Sequence, residues 1–121
     1  MGGTMQRRIL PTLALVLALA GWGAGLMAGA ALAEPPTFEV RIKAHRFEPA
    51  VLVVPAGQMF KLVVHNDDPT PEEFESHSLK REKIIPGNSS ATIYIAALKP
   101  GTYEFFGEFN EATAQGRIVA R

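Results

Sequence analysis

The stretch that decides the fold is residues 100–121, PGTYEFFGEFNEATAQGRIVAR. Pro100 and Gly101 open it as a turn, since proline fixes φ and glycine reaches conformations closed to other residues. Tyr103, Phe105 and Phe109 follow, with Glu104 and Glu108 between the aromatics. Side chains alternate across a strand, so Tyr103, Phe105 and Gly107 share one face while Glu108 takes the other. Residues 111–114 are short and helix-prone, and Arg117-Ile118-Val119-Ala120 alternates again as a closing strand. The ending is therefore read as strand, loop, strand.

The rest of residues 34–121 repeats the theme. Residues 38–44 set Phe38, Val40 and Ile42 against Glu39, Arg41 and Lys43, the pattern of a half-buried strand. Residues 45–49 bend the chain, 51–54 form a short apolar run, and Pro55-Ala56-Gly57 is a turn. Phe60, Leu62 and Val64 alternate with Lys61, Val63 and His65, and that strand stops at Asn66-Asp67-Asp68-Pro69. Phe74 lies in a shorter extended piece, and residues 80–85 read as an edge strand because Lys80, Arg81, Glu82 and Lys83 would deter pairing with another chain. Residues 91–95 return after a Pro-Gly turn, and Met59, just before Phe60, reads as core. Seven or so short strands with turns every several residues predict an all-β sandwich. The expected core includes Val40, Ile42, Phe47, Leu62, Val64, Phe74, Ile93, Tyr103, Phe105, Ile118 and Ala120.

The first 33 residues are different in kind. Arg7 and Arg8 are followed by no charge until Glu34, and Ala31-Leu32-Ala33 is a small-x-small site. Residues 1–33 are expected to be a cleaved secretory signal peptide and residues 34–121 the domain it delivers to the periplasm. An uncleaved membrane anchor is the alternative, because residues 9–33 are long enough to span a bilayer. Gln6-Arg7-Arg8-Ile9-Leu10 is also a partial twin-arginine pattern, so the export route is left open. Setting aside Arg7 and Arg8, the chain has ten basic against twelve acidic residues and no basic stripe, which argues against a nucleic-acid partner. The chain has 0 cysteines, so no disulfide holds it and no thiolate can bind metal.

Residues 100–121 resemble the cupredoxin signature Y-x-F-x-C-x-x-H-x-x-x-M-x-G-x-I-x-V. Tyr103, Phe105, Gly116 and Ile118 match, and Ala120 nearly does. The ligand slots depart from it: Gly107 replaces the cysteine, Asn110 the histidine and Ala114 the methionine. Residues 47–57, FEPAVLVVPAG, resemble the front half of the same family, which implies a Greek-key sandwich. PEEFES at 71–76, LKREK at 79–83 and PGTYEFFGEF at 100–109 resemble the EfeO-type cupredoxin-like proteins of bacterial iron-uptake systems. That resemblance implies a periplasmic accessory, not an enzyme, that binds an iron or copper ion. Its implied partner is a membrane iron permease or a periplasmic metal-binding protein.

A blue-copper centre needs two imidazoles and a thiolate, so a type 1 copper site and blue-copper electron transfer are excluded. The family's first histidine falls just after the Asn-Asp turn, two residues before a core aromatic, which puts Glu72 in that slot. A register slip of one residue would put Glu73 there. Carboxylates are hard donors that suit iron or manganese. The expected metal ligands are Glu72, His45, Glu108 and, through a carbonyl oxygen, Asn110. His65 is expected to face solvent, and His77 to lie on a loop. Ser76, His77 and Glu75 are neighbours in sequence, which does not make them a triad. The rival reading is a metal-free interaction module whose contacts are Phe106, Glu108 and residues 69–75, with the glutamates forming a solvated loop. The first prediction concerns export: intact mass of protein from an exporting host should show a chain beginning at Glu34. Finding residues 1–33 retained in a membrane fraction would favour the anchor.

Overall fold

Strand alternation in this chain does its sorting against two sheets. The computed structural model describes residues 34–121, of which Pro35–Arg121 form one unit; the expected export segment, residues 1–33, lies outside the described residues. The strands are β1 (Thr37–Lys43), β2 (Arg46–Glu48), β3 (Val51–Val54), β4 (Phe60–Asn66), β5 (Glu72–Ser76), β6 (Arg81–Ile85), β7 (Ser89–Ile95), β8 (Gly101–Gly107) and β9 (Gln115–Ala120). One sheet has the order β2-β1-β4-β7 and the other β3-β9-β8-β5-β6. Two pairings are parallel, β1 with β4 and β3 with β9, and the remaining ones are antiparallel. The result is the expected all-β, cupredoxin-like sandwich.

The inner faces are apolar for the reason the sequence suggests. On β4, Phe60, Leu62, Val64 and Asn66 are buried, while Lys61, Val63 and His65 between them are only partly covered. On β5 the buried set is Glu72, Phe74 and Ser76, and on β8 it is Phe105 and Gly107. Three aromatics join the sheets. Phe47 of β2 meets Phe105 edge-on with ring centroids 4.8 Å apart, and Phe74 edge-on at 6.3 Å. Phe74 and Phe105 stack at 5.1 Å. Edge-to-face and offset pairs such as these add about 0.5–1.5 kcal/mol each beyond their burial. Gly116 makes room for the trio: a Cβ there would lie 2.5 Å from the Phe105 ring.

Four local expectations change. The described residues contain nine strands, because residues 46–48, read as a bend, pair with β1 through Ile42 and Phe47. Met59 is 48% exposed, since it precedes the first inward position of β4. Tyr103 is only partly buried and turns its hydroxyl to the Lys99 carbonyl at 2.8 Å, so the phenol ends at the sheet's rim. The turn after β8 begins earlier than expected, as a 3-10 turn over Glu108–Asn110. The remaining expected core residues are buried, and β6 lies at the edge of its sheet. Phe105, 1% exposed, is the strongest test of this register. Phe105→Ala should cost about 3–5 kcal/mol in denaturant unfolding; a loss below about 1 kcal/mol would be incompatible with its place in the trio.

Candidate functional site

The turn after β4 sets the position of everything at this end of the sandwich. Asn66 is buried, and its amide donates to the carbonyls of Thr70 at 2.8 Å, Ile85 at 3.1 Å and Pro86 at 3.3 Å. Its own carbonyl oxygen accepts from Asp68 N–H at 3.1 Å. One side chain of the first sheet thereby fixes the entry to β5 and the exit of β6 in the second. Satisfying a buried amide this fully matters because an unmatched buried polar group costs about 1–3 kcal/mol.

Glu72, the first residue of β5, is 1% exposed and points inward beside Phe74, while Glu73 points out; that settles the facing of the pair. Its Oε1 accepts from the N–H groups of Glu73 and Phe109, both at 2.9 Å, and Oε2 accepts from Asn110 Nδ2 at 2.7 Å. Hydrogen bonds to a charged group contribute about 1.5–3 kcal/mol, roughly twice a neutral one. The carboxylate presses on the family's other ligand slots. A Cβ on Gly107 would fall 2.6 Å from Glu72 Cδ and 2.7 Å from the Ala114 Cβ, so residue 107 has no room for a side chain. Gly107 N–H also donates to the Ala114 carbonyl at 2.9 Å, which closes the loop across its base. Glu72, Gly107, Asn110 and Ala114 thus converge, as the resemblance implies for ligand positions. With no imidazole or thiolate among them, they do not fit type 1 copper.

The other expected ligands sit elsewhere. Ala44 and His45 have φ of 52° and 57°, a tight β1–β2 turn that non-glycine residues adopt at a cost. Asp68 offsets it by accepting the backbone N–H of Ala44 at 2.8 Å and of His45 at 2.9 Å. The His45 ring also lies 3.5 Å from Asp68. The His45 N–H bond holds the Asp68 carboxyl below its usual range, the Ala44 bond and the His45 charge adding to it against the opposing effect of burial. His45 is therefore occupied by Asp68, a partner the sequence reading did not consider. His65 is partly covered rather than freely solvated, its ring bridging Glu39 and Ser90 at 2.7 Å each.

Glu108 belongs to a second cluster on the outer face of the same sheet. One carboxylate oxygen each from Glu73, Glu75 and Glu108 lie within 4.8 Å of one another. Glu82 joins them, being directly across from Glu75 in the β5–β6 register. Like charges facing each other across strands repel. The Glu73 carboxyl is pushed up to about 7, mainly by a hydrogen bond with Glu108, then by burial and the charges of Glu108, Glu82 and Glu75. Burial raises Glu75 too, followed by Glu82 and Glu108, while His77 opposes the shift. Glu75 Oε2 is buried without a hydrogen-bond partner. His77 stands 3.7 Å from Glu75, with its ring against Phe106 at 5.4 Å. The signal for this cluster was already legible as E-x-E in residues 73–75, but only the fold adds Glu82 and Glu108.

A sandwich of this topology with these converging slots defines a class, and sequence comparison agrees with it. The family model for the cupredoxin-like domain matches residues 13–120, and the chain belongs to that family. It is 49% identical over 81 residues to an uncharacterised protein of Rickettsia prowazekii (strain Madrid E), a match covering 67% of this chain and 65% of the relative. Among solved structures it is similar to auracyanin A, a "blue" copper protein of Chloroflexus aurantiacus, with a TM-score of 0.63 and 17% identity over 73% of this chain and 100% of that one. It is also similar to the metal-binding domain of the Cu(I)-exporting P-type ATPase CopA of Streptococcus pneumoniae D39, with a TM-score of 0.61 and 15% identity over 76% and 92% of the two chains. At these identities the structural likeness establishes the fold.

The outer cluster makes a prediction about stability. A carboxyl raised in the folded state stabilises fully below its unfolded value of 4.5 and loses that contribution as pH rises through about 7, the position of Glu73. The urea midpoint should therefore climb as pH falls from 8 toward 5. Below 3.8 the lowered carboxyl of Asp68 reverses the trend. Glu73→Gln should flatten the climb, and an unchanged pH profile in that variant would remove the cluster as its cause.

Proposed function

We propose that this domain is an extracytoplasmic accessory of transition-metal handling, iron above all, that takes up a cation transiently on Glu73, Glu75 and Glu108. The observation carrying this reading is the gathering of three carboxylate oxygens within 4.8 Å on an accessible sheet face. Hard oxygen donors suit Fe(II), Fe(III) or Mn(II), and a partly exposed set of three, Glu108 the most open, leaves coordination positions for water or a receiving ligand. Such a site would load and unload easily, which is what passing an ion to a membrane permease or periplasmic partner requires. The iron assignment rests on the likeness of residues 71–76, 79–83 and 100–109 to EfeO-type domains. Membership of a family whose fold relatives include a copper transporter's metal-binding domain supports the general role.

A second reading has an observation of its own. Glu72 already fills the interior position with hydrogen bonds, so the domain could serve as a metal-free module whose acidic face receives a basic partner surface. Calorimetry with Mn(II) separates the two. Under the metal reading, binding is measurable at pH 8, and Glu73→Gln or Glu108→Gln weakens it at least tenfold, about 1.4 kcal/mol. Affinity should fall as pH drops through about 7, because Glu73 must shed its proton to act as a ligand. Heats indistinguishable from buffer would leave the docking module as the better account.

A further inference from the structure

At the positions that the family resemblance assigns to metal ligands, the loop after β8 presents hydrogen-bond donors. The Phe109 N–H and the Asn110 amide point inward from the loop, and the Glu73 N–H joins them from β5. Donors carry their positive ends toward whatever they surround, so this is the polarity of an anion site. A metal centre needs the reverse, lone pairs converging on a positive charge.

We infer that the Glu72 side chain has taken the metal's place, so that the interior position is closed to cations and the ligand loop is held by an internal anion instead. Three features converge on this. A carboxylate offers about four lone-pair directions, and three here are taken by N–H groups. The space is also filled: a Cβ on residue 107 would stand only 2.6 Å from Glu72 Cδ and 2.7 Å from the Ala114 Cβ. Finally, the glycine and alanine are matched to the glutamate. A side chain at 107 would need both Glu72 and Ala114 to give way, so the residues at these three slots fit one another. For a cation to bind Oε1, which already accepts two N–H groups, one of them would have to give up its acceptor, a costly outcome, and the donors around Oε2 turn their positive ends toward any approaching cation.

The inference does not rest on the outer cluster, because Glu72 and Glu73 face opposite sides of β5. Amide hydrogen exchange on the chelator-treated protein, repeated with excess Zn(II), tests it. The Phe109 N–H should be strongly protected without metal and change less than twofold with zinc. Absence of protection in the metal-free protein, or a tenfold rise in Phe109 exchange on adding zinc, would overturn the proposal. Glu72→Gln supplies the second arm. Its amide oxygen keeps the Glu73 and Phe109 N–H bonds as a weaker, uncharged acceptor while its NH2 meets the Asn110 amide, so Phe109 protection should fall, yet zinc affinity should stay within threefold of wild type. A folded Glu72→Gln variant that has lost zinc binding would show that Glu72 is a ligand after all. Should that variant fail to fold, the wild-type exchange measurement still decides. Glu73→Gln and Glu108→Gln leave the interior untouched, so the fate of the outer site is read separately.

Discussion

Glu72 ties β5 to the loop between β8 and β9, and the arrangement of this end of the molecule depends on those hydrogen bonds. A buried carboxylate is costly unless its lone pairs are matched, and here a backbone N–H of its own strand, a backbone N–H of the 3-10 turn and a side-chain amide match it. The interaction also determines which residues can surround it. Gly107 is required because the carboxylate comes too close for any Cβ, and Ala114 completes the wall. The loop is thereby fixed with Glu108 and Phe109 directed away from the core, Phe109 being 52% exposed.

That loop needs a rigid base, which the two sheets provide through unlike contacts. Phe47, Phe74 and Phe105 lock the faces by shape, and the Asn66 amide locks the β5 and β6 ends by direction. Apolar packing alone tolerates small slips, whereas an amide with three carbonyl acceptors does not. The domain has no disulfide to do this work, so a buried polar side chain takes the part of a covalent clamp.

One strand carries two opposed electrostatic designs. On its inner face β5 places a single carboxylate among donors. On its outer face it places Glu73 and Glu75 among further carboxylates, Glu108 and Glu82, where a hydrogen bond between Glu73 and Glu108, burial of Glu75 and then repulsion raise the affinity for protons. The first arrangement is satisfied within the protein. The second is not, and groups left in mutual repulsion at an accessible surface are those whose energy improves when a cation or a basic surface arrives. The proposed function follows from that asymmetry.

The sequence by itself determined the sandwich, because period-two alternation and turn residues are local signals that report which side chains face inward. It also determined that no type 1 copper could form, since no cysteine exists to supply the thiolate. The slots at Glu72, Gly107, Asn110 and Ala114 were legible through the family resemblance, but a slip of one residue left Glu72 and Glu73 open until the structure showed which of them faces inward. What the tertiary structure decided was the role of each slot. Whether a carboxylate in a ligand slot holds a metal or accepts hydrogen bonds depends on the groups opposite it, and Phe109 and Asn110 lie far along the chain from Glu72. The partner of His45 was hidden for the same reason, because Asp68 reaches that turn only across the sheet. Glu73, Glu75, Glu82 and Glu108 become one cluster only when β6 and the loop after β8 are brought to either side of β5. Side-chain facing is encoded by neighbours in sequence; charge environment is set by neighbours in space, and only folding supplies those.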